Sequence, residues 1–309
     1  MSQFARDELS RVAPHRPSAV TIGTFDGVHR GHQHLIGQLR DRASARGLTA
    51  GVVTLYPNPA HVLRPQEPVM YLTSLEERIE LLHGTGLDFV APLTFTSEMA
   101  ELSAEEFGAL LVQELSMAFL LMGPDHAFGR GREGTPERMR EVGRSLGFDV
   151  DLLEQPLSNS VRPVSSTTIR SALAEGDIAL VTHQLGRHYS IRGPVVHGDH
   201  RGRELGYPTA NIAVAADRAL PAFGVYATWA HLGPERFASA TSVGNRPTFD
   251  GKDTTVEAHI LDFDREIYGQ TLAVEFVARV SPELKFTTAD ELKVKIASDV
   301  AAARELLKG

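Results

Sequence analysis

From Ala19 to about Pro156, short apolar runs alternate with longer stretches in which apolar residues recur at helical spacing. Ala19 to Ile22, Gly51 to Leu55, Phe89 to Leu93, Ala118 to Met122 and Asp149 to Leu153 have the length and unbroken hydrophobicity of buried strands. Between them, Leu35 and Leu39 share one helical face, as do Phe107, Leu110, Leu111 and Leu115. Helix-start chemistry accompanies the pattern. Ser74-Leu75-Glu76-Glu77 and Ser103-Ala104-Glu105-Glu106 match the capping box, and Thr135-Pro136 sets proline at a first helical position. Strand and helix in alternation with short connections predict an α/β doubly wound parallel sheet, whose ligands bind beyond the carboxyl ends of its strands.

After about Leu185 the period changes. Tyr189 to Val196, Gly224 to His231, Phe237 to Val243, Val256 to Phe263 and Leu272 to Val280 are rich in β-branched and aromatic residues and follow one another through turns. They predict a small antiparallel β-barrel, since the unit is short for a sandwich. A closing helix follows, with a capping box at Thr288-Ala289-Asp290-Glu291 and an apolar stripe of Leu292, Ile296, Val300, Ala303 and Leu307 to lay on the barrel. At 309 residues the chain exceeds the length at which one core stops growing. The predicted join lies near Val181 to Arg187, giving domains 1–183 and 187–309.

Composition narrows the classes of function. Hydrophobic residues make up 42% and charged residues 23%, ordinary for a globular protein. A net charge of -8 argues against a nucleic-acid partner. The absence of cysteine excludes disulfides, thiolate nucleophiles and zinc-thiolate sites, and fits a reducing compartment. Met1 to Pro17 is polar and charged without an apolar core, and the longest apolar run, Ala118 to Met122, is too short to span a bilayer. The expectation is a cytoplasmic enzyme with no membrane partner. No coiled-coil repeat marks an interface between copies, so the oligomeric state stays open.

The first candidate site follows the first strand: Gly23-Thr24-Phe25-Asp26-Gly27-Val28-His29-Arg30-Gly31-His32. Glycines let the backbone approach a ligand closely, and a helix starting near Gly31 points its free amides at the same place. Such a turn binds anions. His29 and His32 can both face the anion, donating a hydrogen bond or positive charge to phosphate oxygens, which favours nucleotidyl transfer. A tight turn with two solvated histidines is the plainer alternative.

These ten residues resemble the HxGH signature of the nucleotidylyltransferase superfamily, in the form typical of prokaryotic bifunctional riboflavin kinase/FAD synthetases. Leu72-Thr73-Ser74-Leu75-Glu76-Glu77-Arg78, Leu102-Ser103-Ala104-Glu105-Glu106-Phe107 and Val164-Ser165-Ser166-Thr167-Thr168-Ile169-Arg170 fall in the order of that family. The resemblance implies nucleotide contacts from Gly23, Phe25, Asp26, Gly31 and Asn58. It implies that Ser166, Thr167 and Arg170 close over the triphosphate, and that Asp125 and Phe128 of the loop Gly123 to Gly129 bind the flavin. Ser165 to Thr167 also suit a plain helix cap. Three positions depart from the family: Asn58 stands in place of histidine, His126-Ala127 where Phe and Arg are common, and Thr168 where Arg is frequent.

The second candidate site is His197-Gly198-Asp199-His200-Arg201-Gly202-Arg203-Glu204-Leu205-Gly206-Tyr207-Pro208-Thr209-Ala210-Asn211. Its glycines and arginines make a loop able to wrap phosphates, and no GxxxxGK[ST] is present, so it is not a P-loop. Thr209 and Asn211, two apart on an extended segment, present hard oxygen ligands that suit Mg²⁺. The stretch resembles the Gly-rich loop and PTAN motif of riboflavin kinases. That resemblance implies nucleotide contacts from Gly198, Arg201, Gly202, Gly206, Thr209 and Asn211, and Mg²⁺ on Thr209 and Asn211. Ser242 to Phe249 resembles a further family turn. Glu257, alone in an otherwise β-branched and apolar strand, is by resemblance the general base; from pattern alone it reads equally as an outward glutamate. Ser281 departs from the arginine usual in that place.

The resemblance spans Val20 to about Leu307. It implies a bifunctional enzyme that phosphorylates riboflavin with MgATP to FMN and adenylylates FMN to FAD, releasing pyrophosphate. A riboflavin kinase with a weakened or inactive adenylyltransferase domain, and a flavin- or nucleotide-binding regulator without turnover, are the alternatives.

Overall fold

The computed structural model describes residues 3–124, 126–153, 163–198, 202, 205–248, 251–284 and 286–308, and for 246–248 and 251–253 the backbone only. Packing divides the chain into two units, Met1–Ser166 and Thr167–Gly309. In the first, β1 (Ser18–Gly23), β2 (Thr49–Tyr56), β3 (Phe89–Thr94), β4 (Met117–Met122) and β5 (Asp149–Leu152) pair in parallel in the order β3-β2-β1-β4-β5. Every strand expected in this half is present. The strand order reverses between β1 and β4, which opens a crevice at their carboxyl ends.

Around the sheet lie α1 (Gln3–Ser10), α2 (Arg30–Arg46), α3 (Pro59–Leu63), α4 (Leu75–His83), α5 (Ser97–Ala100), α6 (Ala104–Leu115) and α7 (Pro136–Leu146). Successive strand residues face opposite layers. Val20, Ile22 and Val53 join Leu110, Leu111 and Met139 in one core, while Ala19 and Val52 join Ile36, Leu39 and Leu82 in the other. Each fully buried leucine or isoleucine there contributes about 1.5–3 kcal/mol relative to exposure. Both expected capping boxes form: Ser74 and Ser103 accept from the amides of Glu77 and Glu106, whose carboxylates accept from the serine amides in return. Helix α1 was absent from the sequence expectation. It buries Ala5 and Leu9, and its Glu8 carboxylate accepts from the amide and hydroxyl of Thr94 at the end of β3.

In the second unit, α8 (Ser166–Glu175, its first residue closing the first unit) and α9 (Ile178–Leu185) precede β6 (Tyr189–Val196), β7 (Ala210–Ile212), β8 (Gly224–Leu232), β9 (Glu235–Thr248), β10 (Gly251–Ile260) and β11 (Thr271–Pro282). These six strands close a barrel in the order β10-β7-β6-β11-β8-β9. The expected antiparallel barrel is therefore present, with β7 added to the five runs legible in the sequence. Val181 to Arg187, where the sequence places the join, covers the end of α9 and the residues just after it.

Helix α10 (Ala289–Leu306) lays Val300, Ala303 and Leu307 against Ala227 and Ala240 of the barrel. Its cap differs from expectation. Thr288 accepts from the Glu291 amide at 3.2 Å, but the Glu291 carboxylate turns to Thr287, which offers both an amide (3.1 Å) and a hydroxyl (2.9 Å). Two donors outcompete the single Thr288 amide, so only half of the box forms.

Candidate active sites

In the sheet unit the first site is built on α2. The helix begins at Arg30, one residue before the position expected, and His29 is its N-cap. Nδ1 of His29 accepts from the His32 amide at 3.3 Å. In the neutral ring the remaining proton then sits on Nε2. The His29 and His32 rings stack with centroids 3.6 Å apart and 16° between planes, and Phe25 meets His32 edge-on at 5.0 Å. Gly31 lets the His29 ring pack closely against the start of α2, since a Cβ there would lie 3.1 Å from two atoms of that ring. Gly23 ends β1 beside the Phe25 ring.

The turn between strand and helix is strained. Phe25 and Val28 hold φ of 49° and 41° without being glycine, on either side of Gly27 at 81°. Such residues persist only where the surroundings fix them. The fixing groups are Asp26 and Arg78, 1% and 0% exposed at the side chain, with Oδ1 and Nη2 3.5 Å apart. The Asp26 carboxylate also accepts from the amides of Leu72 (2.9 Å) and Thr73 (3.1 Å), and Arg78 donates to the Thr24 carbonyl at 2.8 Å. Asp26, expected among the nucleotide contacts, thus spends its oxygens on protein donors and holds the turn in shape. Arg78 was not singled out from the sequence, although an acid buried in a glycine turn implies a cation to match it.

His32 was expected to offer hydrogen bonds or positive charge, and its surroundings decide between them. Burial lowers its pKa well below the ordinary histidine value, and the nearby His29, His126 and Arg78 lower it further. In the free protein the ring is neutral at neutral pH, with a buried Nδ1 that has no protein partner. Asn58 caps α3, its Oδ1 accepting from the Ala60 amide at 2.9 Å. Ser166 donates to the Asp26 carbonyl at 2.8 Å. In the second unit, Arg170 donates to Thr167 Oγ1 at 3.3 Å along α8. Phe128 lies beside Phe107 at 6.0 Å and His126 at 5.9 Å. Asp125 lies outside the described residues.

In the barrel the second site gathers on β7 and β10. Burial alternates along β10, with Val256, Ala258 and Ile260 buried and Glu257 and His259 half-exposed on the other face. Glu257 stands opposite Asn211 in register, and Thr209 Oγ1 donates to its Oε2 at 3.2 Å. The carboxylate is on the polar face, as the plainer reading has it, but it is partnered there. Gly198 faces the same group, since a Cβ at that position would run into the Asn211 carboxamide. Gly202 and the turn around Gly206 close the loop through the Tyr207 amide, which donates to the Gly202 carbonyl at 2.8 Å. Arg201 lies outside the described residues, as do Asp199, His200, Arg203 and Glu204 of the same loop.

A doubly wound sheet with two imidazoles at its switch point, followed by a barrel joining a glycine-rich loop to a threonine, an asparagine and a glutamate, defines a pair of nucleotide-dependent transferase domains. A family model described as FAD synthetase matches residues 12–168, and one described as riboflavin kinase matches 185–307. The bifunctional riboflavin kinase/FMN adenylyltransferase of Escherichia coli (strain K12) is 37% identical over 295 residues, 95% of this chain and 94% of its own length. The protein of the same name from Bacillus subtilis (strain 168) is 34% identical over 291 residues, 91% of this chain and 90% of its own. A crystal structure described as a macrolide-efflux protein from Streptococcus pneumoniae superposes with a TM-score of 0.88 at 31% identity, covering 96% of this chain and 97% of that one. The chain belongs to the bifunctional riboflavin kinase/FMN adenylyltransferase family, and its activities are the phosphorylation of riboflavin to FMN and the adenylylation of FMN to FAD. Nothing in these comparisons favours an inactive sheet domain. Among the described residues, no helix is long and apolar enough to cross a membrane.

Proposed function

We propose that the two reactions are divided between two separate nucleotide sites, with residues 187–309 as the kinase and 1–183 as the adenylyltransferase. In the kinase, the Glu257 carboxylate takes the proton of the terminal ribityl hydroxyl as that oxygen attacks the γ-phosphorus; the O–P bond forms and ADP leaves. The Thr209 hydroxyl, 3.2 Å from Glu257, orients the carboxylate. A base placed in this way contributes about two to four orders of magnitude. Positioning by the glycine-rich loop supplies much of the remainder, because phosphoryl transfer asks little covalent help of the protein.

The donor set suits a hard cation. Thr209 and Asn211 bring neutral oxygens to one side of the carboxylate, and no cluster of three His, Asp or Glu among the described residues competes for a metal. Mg²⁺ would be held by Thr209 and Asn211 together with nucleotide phosphates, and when bound it would neutralise charge on the transferring group.

In the adenylyltransferase, an FMN phosphate oxygen attacks the α-phosphorus of ATP and pyrophosphate leaves. His29 donates through Nε2, and His32 and the first amides of α2 face the same charge, with Ser166 completing the grip. The reading includes a cytoplasmic location, supported by the cysteine-free composition. The observation that carries it is the existence of two built sites, the stacked imidazoles in one unit and the Thr209–Glu257 pair in the other. Equilibrium dialysis with α,β-methylene-ATP and Mg²⁺ tests it: two equivalents per chain are expected, and saturation at one overturns the division.

A further inference from the structure

β7 pairs with its neighbours over a very short stretch. Its ladder to β10 runs from Val256↔Ile212 through Glu257↔Asn211 to Ala258↔Ala210, and its ladder to β6 covers Val195↔Ile212 and Val196↔Asn211. Thr209, which donates to Glu257, lies before the first pair of either ladder. The residue ahead of it is Pro208, which has no N–H to give to a ladder. A side chain of β10 takes over at this point. Nδ1 of His259 lies 2.8 Å from the Pro208 carbonyl oxygen, and the Tyr207 ring meets the His259 ring edge-on at 5.4 Å and 76°. We propose that His259 is a positioning residue of the kinase reaction: by holding the peptide plane between Pro208 and Thr209, it aims the Thr209 hydroxyl at Glu257. The inference rests on the barrel site being the kinase, with Thr209 and Glu257 in it.

A carbonyl oxygen only accepts, so the ring carries a proton on Nδ1. The carbonyl belongs to the peptide bond that joins Pro208 to Thr209. That bond is planar, so fixing its oxygen fixes the plane from which Thr209 departs. Glu257 and His259, two apart on β10, share its polar face, and consecutive residues of the facing segment are tied to them, Thr209 by its hydroxyl at 3.2 Å and Pro208 by its carbonyl at 2.8 Å. The reaction treats these two ties differently. When the Glu257 carboxylate takes a proton it becomes a weaker acceptor for the Thr209 hydroxyl. The His259 tie involves no group that reacts, and it keeps Thr209 in place through the step. His259 is half-exposed while Val256, Ala258 and Ile260 are buried, so replacing it opens no cavity in the barrel core.

The test uses the full chain. His259→Leu removes the donor and His259→Gln moves it one bond outward, whereas His259→Asn keeps an N–H as many bonds from the backbone as Nδ1. In the ligand-free protein, couplings to the Thr209 methyl group should report one χ1 rotamer in the wild type and His259→Asn, and rotamer averaging in His259→Leu and His259→Gln. In riboflavin phosphorylation, KM for MgATP should rise about tenfold and kcat fall about tenfold in His259→Leu and His259→Gln. Both should return to within about threefold of wild type in His259→Asn, whereas a loss of folded protein lowers kcat without moving KM. Added to Thr209→Val, His259→Leu should cost less than about twofold further, because its effect passes through that hydroxyl. Where Thr209→Val or Glu257→Gln lowers FMN formation, one Thr209 rotamer in every protein, failure of His259→Asn to rescue, or full multiplication of the two losses overturns the inference alone. If neither Thr209→Val nor Glu257→Gln lowers FMN formation, the site assignment falls and takes the inference with it.

Discussion

In the sheet unit, the groups proposed to face phosphate are set in buried and strained backbone. His29 is 6% exposed, the turn before it contains two non-glycine residues at positive φ, and an ion pair sealed from solvent holds that turn in place. In the barrel, Glu257, Thr209 and Asn211 sit half-exposed on the outer face of a regular antiparallel ladder. One site is part of the fold's interior, while the other decorates a surface the barrel would form anyway. Activity and stability should therefore be coupled in the first and separable in the second.

Substitutions can break this contrast. Glu257→Gln keeps shape and removes the proposed base, so FMN formation should fall by about two to four orders of magnitude. The melting temperature and the conversion of supplied FMN to FAD, followed by calorimetry and flavin chromatography, should stay at wild-type values. Arg78→Met leaves a carboxylate buried without its cation, a change worth about 3–5 kcal/mol. A denaturant midpoint that hardly moves would show that the sheet site is not the interior structure described here.

His29→Ala removes the proposed phosphate donor and the α2 cap together. FAD formation from FMN should drop by about two to three orders of magnitude while riboflavin is still phosphorylated. Loss of both reactions in a folded variant would end the separation of the two sites. Asn58→Ala tests the smallest effect, the cap of α3, at about 1 kcal/mol in denaturant unfolding. Its adenylylation rate then tells whether the Asn58 amide contributes more than the cap.

The strands of both units were legible because burial on both faces, or on alternate residues, leaves unbroken or period-two hydrophobicity. β7 was not, since three residues are too few to show a period. Helix α1 was hidden because Gln3, Arg6, Asp7 and Glu8 outnumber Ala5 and Leu9, and its place is set by packing against β3 and α6. The candidate groups could be picked out by their spacing, as with His29 and His32 or Thr209 and Asn211, and the family resemblance supplied the roles proposed for them. The supports of the sites could not be read in this way. Arg78 follows two glutamates in a capping box and looks like part of a solvated face; only the folded chain carries it under the turn to Asp26. The neutrality of His32 is likewise a property of burial and neighbours, neither of which a motif encodes.

Inside the barrel, the hydroxyl of Thr228 lies 2.6 Å from that of Ser239 and 2.6 Å from that of Thr241, all three fully buried across β8 and β9. A slip of that hairpin by a single residue would turn every side chain to the opposite face and strand these hydroxyls without one another. The knot of hydroxyls acts as a registration pin: by fixing β9 against β8 it fixes β10 in turn, and so decides that the carboxylate meets Asn211 rather than the residue on either side.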